Sequence, residues 1–164
     1  MTRIPAHPVG SGVDHFIPGL AVDKTTGGAT ARLALTYYYY PNANCTPETC
    51  QLDVGFVSST NGGKSWSGNQ QLAGPMKVSW LANTTQGFMV GDYISTSIAG
   101  AGNDATSVYA LAQAPTGTLF HEATYASSGT IAKLTGGTLA TDTDTTAGLS
   151  PKTLAQPTQP LLSR

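Results

Sequence analysis

The 164-residue chain is expected to fold as an all-β protein built from antiparallel sheets. Three observations lead to that class. Apolar residues alternate at period two in several short runs, as on strands that bury one face. No window carries a sustained helical stripe. Glycine (19) and proline (10), with many Ser and Thr, punctuate the runs as turn residues do. The length fits one domain and is enough to bury a core.

The elements follow in order. After Pro18, Gly19 to Val22 reads as a first strand, and Asp23 to Gly28 as the turn that closes it. Arg32 to Tyr40 is a second, aromatic-rich strand, followed by a loop holding Cys45 and Cys50. Leu52 to Ser58 is a third strand. Asn61-Gly62-Gly63 then supplies the left-handed backbone positions of a hairpin turn, and Trp66 to Leu72 forms a short fourth strand. Residues 14–75 thus read as one four-stranded antiparallel meander behind an N-terminal extension, 1–13.

Residues 76–134 carry a weaker copy of the pattern, with strands at Tyr93 to Ile98, Ser107 to Gln113, Leu119 to Ala126 and Ile131 to Leu134. Ser127-Ser128-Gly129-Thr130 falls where the first copy has its Asn-Gly-Gly turn. Beyond it, 135–164 is rich in Thr, Gly, Ala and Pro and reads as a tail or linker.

Only 10% of residues are charged, 8 basic against 9 acidic, so there is no basic field to hold nucleic acid or an acidic membrane. Met1 to Pro8 lacks the apolar core of a signal peptide, and no stretch approaches a membrane span. Cys45 and Cys50 are close enough in sequence for a local disulfide, with free thiols as the alternative. Two isolated cysteines make a poor metal site, and a disulfide would place the chain outside the cell or in a periplasm. Asn44-Cys45-Thr46 and Asn83-Thr84-Thr85 match the glycosylation acceptor pattern. No nucleophile elbow, phosphate loop, zinc-protease or dinucleotide motif is present, and no cofactor is expected.

Ser59-Thr60-Asn61-Gly62-Gly63-Lys64-Ser65-Trp66 resembles the Asp-box of sialidases and related β-propellers, S-x-D-x-G-x-T-W, with Asn61 in place of Asp and Ser65 in place of Thr. Asp14-His15-Phe16-Ile17-Pro18-Gly19-Leu20-Ala21-Val22-Asp23 and Gly91-Asp92-Tyr93-Ile94 resemble the start of inner strands in bacterial sialidase-like propellers. The resemblance implies that each meander is one blade of an incomplete sialidase-like propeller. The remaining blades would come from a longer polypeptide or from self-assembly of copies, unless two sheets pack as a sandwich instead.

In an antiparallel meander the start of strand one, the end of strand two and the start of strand three share a rim, while the Asp-box turn and Arg32 lie at the other. Ser59, Asn61, Gly63, Ser65 and Trp66 are therefore structural, with Trp66 packed against a neighbouring sheet. Asp14, His15, Tyr40, the Cys45 to Cys50 loop, Asp92, Tyr93, His121 and Glu122 gather on the first rim. The resemblance implies a glycoside hydrolase site there, with Asp14 and Asp92 as acid and base and Tyr93 orienting the sugar or serving as nucleophile; the structural alternative is that the two carboxylates bond the backbone at strand entries and Tyr93 fills the channel. His15, Tyr40, His121 and Glu122 would line the substrate. In Tyr37-Tyr38-Tyr39-Tyr40 alternate rings face opposite sides, so two should be core and two available, either to stack on sugars or to pack in the core and between blades. Sialidases hold the substrate carboxylate with three clustered arginines. This chain has Arg3, Arg32 and Arg164, two near the termini and one at the wrong rim, so by itself it is not expected to cleave sialic acid. The alternatives are a non-catalytic carbohydrate- or protein-binding module, whose tyrosines and cysteine loop make the contact surface, and a purely structural repeat of a larger surface protein.

Overall fold

The computed structural model describes residues 2–99, 102–127 and 132–143. These residues are all-β, with antiparallel sheets, none of them closed. In chain order the strands are β1 (Thr2–Arg3), β2 (Asp14–Val22), β3 (Leu33–Tyr40), β4 (Gln51–Ser59), β5 (Ser65–Trp66), β6 (Gln70–Lys77), β7 (Ala82–Thr84), β8 (Gly87–Met89), β9 (Ser95–Ile98), β10 (Ala105–Thr116), β11 (Leu119–Ala126), β12 (Leu139–Ala140) and β13 (Asp142–Thr143). The first sheet is a four-stranded meander ordered β2-β3-β4-β6, and the second has three strands ordered β11-β10-β9.

β2 begins at Asp14, earlier than expected, because it runs straight through Pro18. A β-bulge makes this tolerable: Phe16 pairs with Tyr38 and Gly19 with Thr36, leaving Ile17 and Pro18 opposite Tyr37. Ile17 takes φ of 48°, a left-handed conformation that a β-branched side chain adopts only at a cost of about 1–3 kcal/mol. β2 is an edge strand, so the N–H missing at Pro18 breaks no ladder.

The two sheets pack against each other through Tyr38, Leu52, Val54, Met76, Ile94, Tyr109 and Ala112, with Phe16 and Tyr40 at the margin. Burial of each such large apolar side chain stabilises the fold by about 1.5–3 kcal/mol. Contact is close because Gly19 has no side chain: a Cβ there would lie 2.8 Å from the Ile94 carbonyl oxygen. Next to it the Thr96 hydroxyl donates to the Gly19 carbonyl at 2.8 Å and lies 2.8 Å from the Thr36 hydroxyl, itself 2.5 Å from that of Ser107. Ile94 meets Gly19, and Ile98 packs in a cluster with Ala21, so β9 follows the direction of β2.

The second sheet departs from the expected four strands. Lys133 forms a bridge with Asp104, the Ala105 N–H donates to the Ala132 carbonyl at 2.8 Å and the Leu134 N–H to the Asn103 carbonyl at 2.6 Å. This segment thus pairs with the start of β10 and adds no strand to β11. Residues 128–131, where a second turn was expected, lie outside the described residues. Residues 135–143, read from composition as tail, are paired: β12 with β5 and β13 with β1, each as a two-stranded sheet beside the four-stranded one. Composition misses this because the contacts are backbone pairings and bonds from the small hydroxyl side chains of Ser58, Ser65 and Thr141, which leave no apolar pattern.

The outer face of the first sheet is also covered. Leu35, Tyr37, Tyr39, Val57 and Trp66 form a cluster there, under Ile4, Ala6 and Val13 of the N-terminal segment. All of Tyr37 to Tyr40 are thereby buried or half-buried, so these rings pack and do not stand free to stack on sugars. Tyr38, fully buried, is the most constrained: its hydroxyl donates to the Ala110 carbonyl at 3.1 Å and accepts from the Ala110 N–H at 2.8 Å. Burial pushes its pKa up to about 12, against the opposing bond to Ala110. Tyr38→Phe should cost about 1–3 kcal/mol in urea unfolding, because both main-chain groups of Ala110 lose a partner. A change below about 0.5 kcal/mol, within the range of ordinary surface substitutions, would show that this bond does not join the sheets.

Candidate functional site

The Asp-box turn closes through its side chains. The Ser59 hydroxyl donates to Asn61 Oδ1 at 3.0 Å and accepts the Gly63 N–H at 3.0 Å, while Asn61 Oδ1 also accepts the Ser65 N–H at 2.9 Å. Gly62 and Gly63 take φ of 71° and 83°, which the turn requires and other residues resist. Trp66 Nε1 donates to the Gly63 carbonyl at 3.1 Å. The indole packs with Leu35 and Val57 on the outer face of the four-stranded sheet, while its own strand, β5, pairs with β12.

The two departures from the Asp-box pattern act together. Asn61 Nδ2 donates to Ser65 Oγ at 2.8 Å, which leaves the Ser65 hydroxyl proton for the Gly137 carbonyl at 2.5 Å. A carboxylate at position 61 could only accept, and would compete for that proton. The amide therefore helps to hold the segment leading into β12 against the turn, where Thr141 also donates to the carbonyls of Gly63 and Lys64. Arg32 lies at this rim, paired with Asp23 at 3.0 Å and bonded to Asn103 Oδ1 at 2.9 Å.

At the opposite rim, register places Asp14 across from Tyr40, and Gln51 across from Lys77. Asp92 and Tyr93 precede β9 at the same end, as its direction requires. His121 lies opposite Gln113, and Glu122 accepts the Ala82 N–H at 3.2 Å, tying the β7–β8 hairpin to β11. Topology thus brings these residues to one rim, but among the described residues no hydrogen bond joins Asp14, Asp92 and Tyr93. Tyr93 is 88% exposed. Tyr40 stacks on Phe16 with ring centroids 5.2 Å apart and serves the core.

The same rim holds a cavity of about 210 Å³ in the β3–β4 loop, lined by Pro41, Asn42, Asn44, Cys45, Thr49 and Gln51. Cys45 and Cys50 are disulfide-bonded with Cα atoms 5.1 Å apart. Inside the ring they close, the Cys50 N–H donates to the Thr46 carbonyl at 2.7 Å, and Thr46 and Thr49 bond each other. Asn42 Oδ1 accepts the Asn44 N–H at 3.0 Å. The loop is braced at both ends and presents amides and a hydroxyl.

His15 turns the other way. Its Nε2 lies 2.7 Å from Nδ1 of His7, and both rings lie over Tyr39, at 6.3 Å and 5.0 Å between centroids. Below them the Tyr37 hydroxyl donates to Asn69 Oδ1 at 2.5 Å, and Asp53, buried across from Tyr39, accepts from Gln71 at 2.8 Å. Burial raises the Asp53 pKa and lowers that of His7. His15 is lowered by burial, then by the charges of His7 and Arg3, with Asp14 opposing. Sequence reasoning passed over His7 because nothing in spacing links it to His15. The alternation of the tyrosines was the available signal that this face needed a cover.

No family model, curated protein or solved structure matches the chain. Among the described residues, no helix is long and apolar enough to cross a membrane.

Asn61→Asp should keep the turn but speed hydrogen exchange at Ala140 and Thr141 and cost about 1 kcal/mol, since one net hydrogen bond is lost. Unchanged exchange there would mean that Ser65 holds Gly137 whatever occupies position 61.

Proposed function

We propose that the chain is a non-catalytic recognition module of the Asp-box type, acting outside the cell or in a periplasm, and that it binds a glycan at the rim. The observation that carries this reading is the cavity in the disulfide-braced loop, walled by Asn42, Asn44, Thr49 and Gln51. Neutral amides and hydroxyls both donate and accept, as sugar hydroxyls do, and bear no charge to desolvate. At about 210 Å³ the cavity is smaller than the roughly 300–1,000 Å³ typical of drug-sized ligands, and it suits a single sugar ring. Tyr93, exposed at the same rim, offers a face on which an extended chain could stack.

The hydrolase reading receives less support. General acid and base catalysis needs two carboxyl groups held at a fixed separation, roughly 5–5.5 Å for retention or 6.5–9.5 Å for inversion. Asp14 begins β2 while Asp92 lies in the segment before β9, and both are exposed, with no partner among the described residues that fixes one against the other.

A glycan array probed with the intact, oxidised protein should show binding to a restricted set of glycans. Asn42→Ala with Gln51→Ala should weaken it at least about tenfold, the loss of roughly 1.4 kcal/mol of hydrogen bonding, while unfolding stability stays put. Turnover of chromogenic glycosides that disappears in Asp92→Asn would replace this reading with the hydrolase. Unaltered glycan binding in the double variant would move the site elsewhere.

A further inference from the structure

We propose that residues 2–13 are a strap latched over the outer face of the first sheet by the His7–His15 contact, and that acidification releases the latch. The strap covers something substantial. Ile4, Ala6 and Val13 roof Leu35, Tyr37 and Tyr39, and a cavity of about 230 Å³ lies beneath, lined mainly by Ile4, Ala6, His15, Phe16, Leu35 and Tyr37. Tyr37 and Tyr39 are only 2% and 5% exposed under this cover. This is a different face from the rim where the glycan is placed, so the inference stands apart from that reading.

The latch depends on protonation through simple hydrogen-bond arithmetic. Nδ1 of His7 and Nε2 of His15 lie 2.7 Å apart, a distance that requires one N–H and one bare lone pair. A neutral pair satisfies this, and so does a singly protonated pair. A doubly protonated pair places two N–H groups and two positive charges head to head, and the contact must open. The Arg3 side chain donates to the His7 carbonyl, which keeps a third positive group close by.

The groups that face the pair decide how readily it charges. Arg3 on the strap opposes a second proton and Asp14 at the start of β2 favours one, while Tyr37 and Tyr39 on β3 offer ring faces. Asp53 on β4 lies one layer further, across from Tyr39. Burial disfavours charge on both imidazoles. Because their pKa values in the folded chain fall below those of free histidine, the unfolded or open form binds more protons. The contribution to closure is therefore complete above about pH 6.5 and is lost as pH falls below it. At its far end the strap pairs with β13 over two residues.

Hydrogen exchange of the intact protein, followed by mass spectrometry at about pH 7.5 and about pH 5 and corrected for intrinsic rates, tests the latch. Peptides covering residues 2–13 should exchange at least about tenfold faster at the lower pH, while β4 stays protected. His7→Phe and His15→Phe each keep a ring against Tyr39 and cannot charge, so each should abolish the pH step. His121→Phe should leave it intact. Wild-type strap exchange that is equal at the two pH values, or a step that survives in both His7→Phe and His15→Phe, overturns the proposal. NMR titration of the wild-type imidazole Cε1–H resonances gives an answer that needs no variant. Two-step curves shared by His7 and His15 support coupling, and independent single-step curves contradict it.

Discussion

Strand β3 sets the terms for the rest of the structure, because four consecutive tyrosines at period two give a strand no polar face to leave in water. Tyr38 and Tyr40 turn towards the second sheet, Tyr37 and Tyr39 away from it. A four-stranded sheet with such a strand next to its edge must be covered on both sides. The second sheet provides one cover. The strap of residues 2–13, with Trp66 of β5 beside it, provides the other. The buried phenols then need partners, which explains the main chain of Ala110 against Tyr38 and Asn69 against Tyr37.

The two covers differ in kind. Against the second sheet the fit is close and permanent: Gly19 admits the Ile94 backbone, and a run of hydroxyls from Thr96 through Thr36 to Ser107 fixes the register. On the outer face the strap is short, and its His7 meets His15 of β2 in a contact that can hold only one added proton between the two rings. Permanent structure and adjustable structure thus share one sheet, divided by the alternation of side chains along β3. The rim, with its braced loop, belongs to neither face and can bind without disturbing them.

Much of the first sheet was legible in the sequence. Its order, its Asn-Gly-Gly turn and the cysteine pair followed from alternation, from residues suited to positive φ and from spacing. The start of β2 was misplaced because Pro18 looks like a boundary and is instead absorbed by a bulge at an edge. The covers were harder to see. Burial of Tyr37 and Tyr39 depends on residues more than twenty positions upstream, and that segment carries no strong local pattern. Of the rim, the order of the meander could be inferred from sequence, and with it the place of Asp14 beside Tyr40. The cavity at Asn42 and Gln51 could not, since it depends on how the closed loop folds back. The meaning of Asn61 was also hidden: only the Gly137 carbonyl explains why an amide serves there.

The central claim is that both faces of β3 are covered. Solvent paramagnetic relaxation by a soluble gadolinium chelate, read on the tyrosine ring protons at neutral pH, tests it directly. The rings of Tyr37, Tyr38 and Tyr39 should be relaxed weakly and the exposed ring of Tyr93 strongly. Relaxation of Tyr37 and Tyr39 as strong as that of Tyr93 would mean that the outer face is open and the account of the covered sheet is wrong.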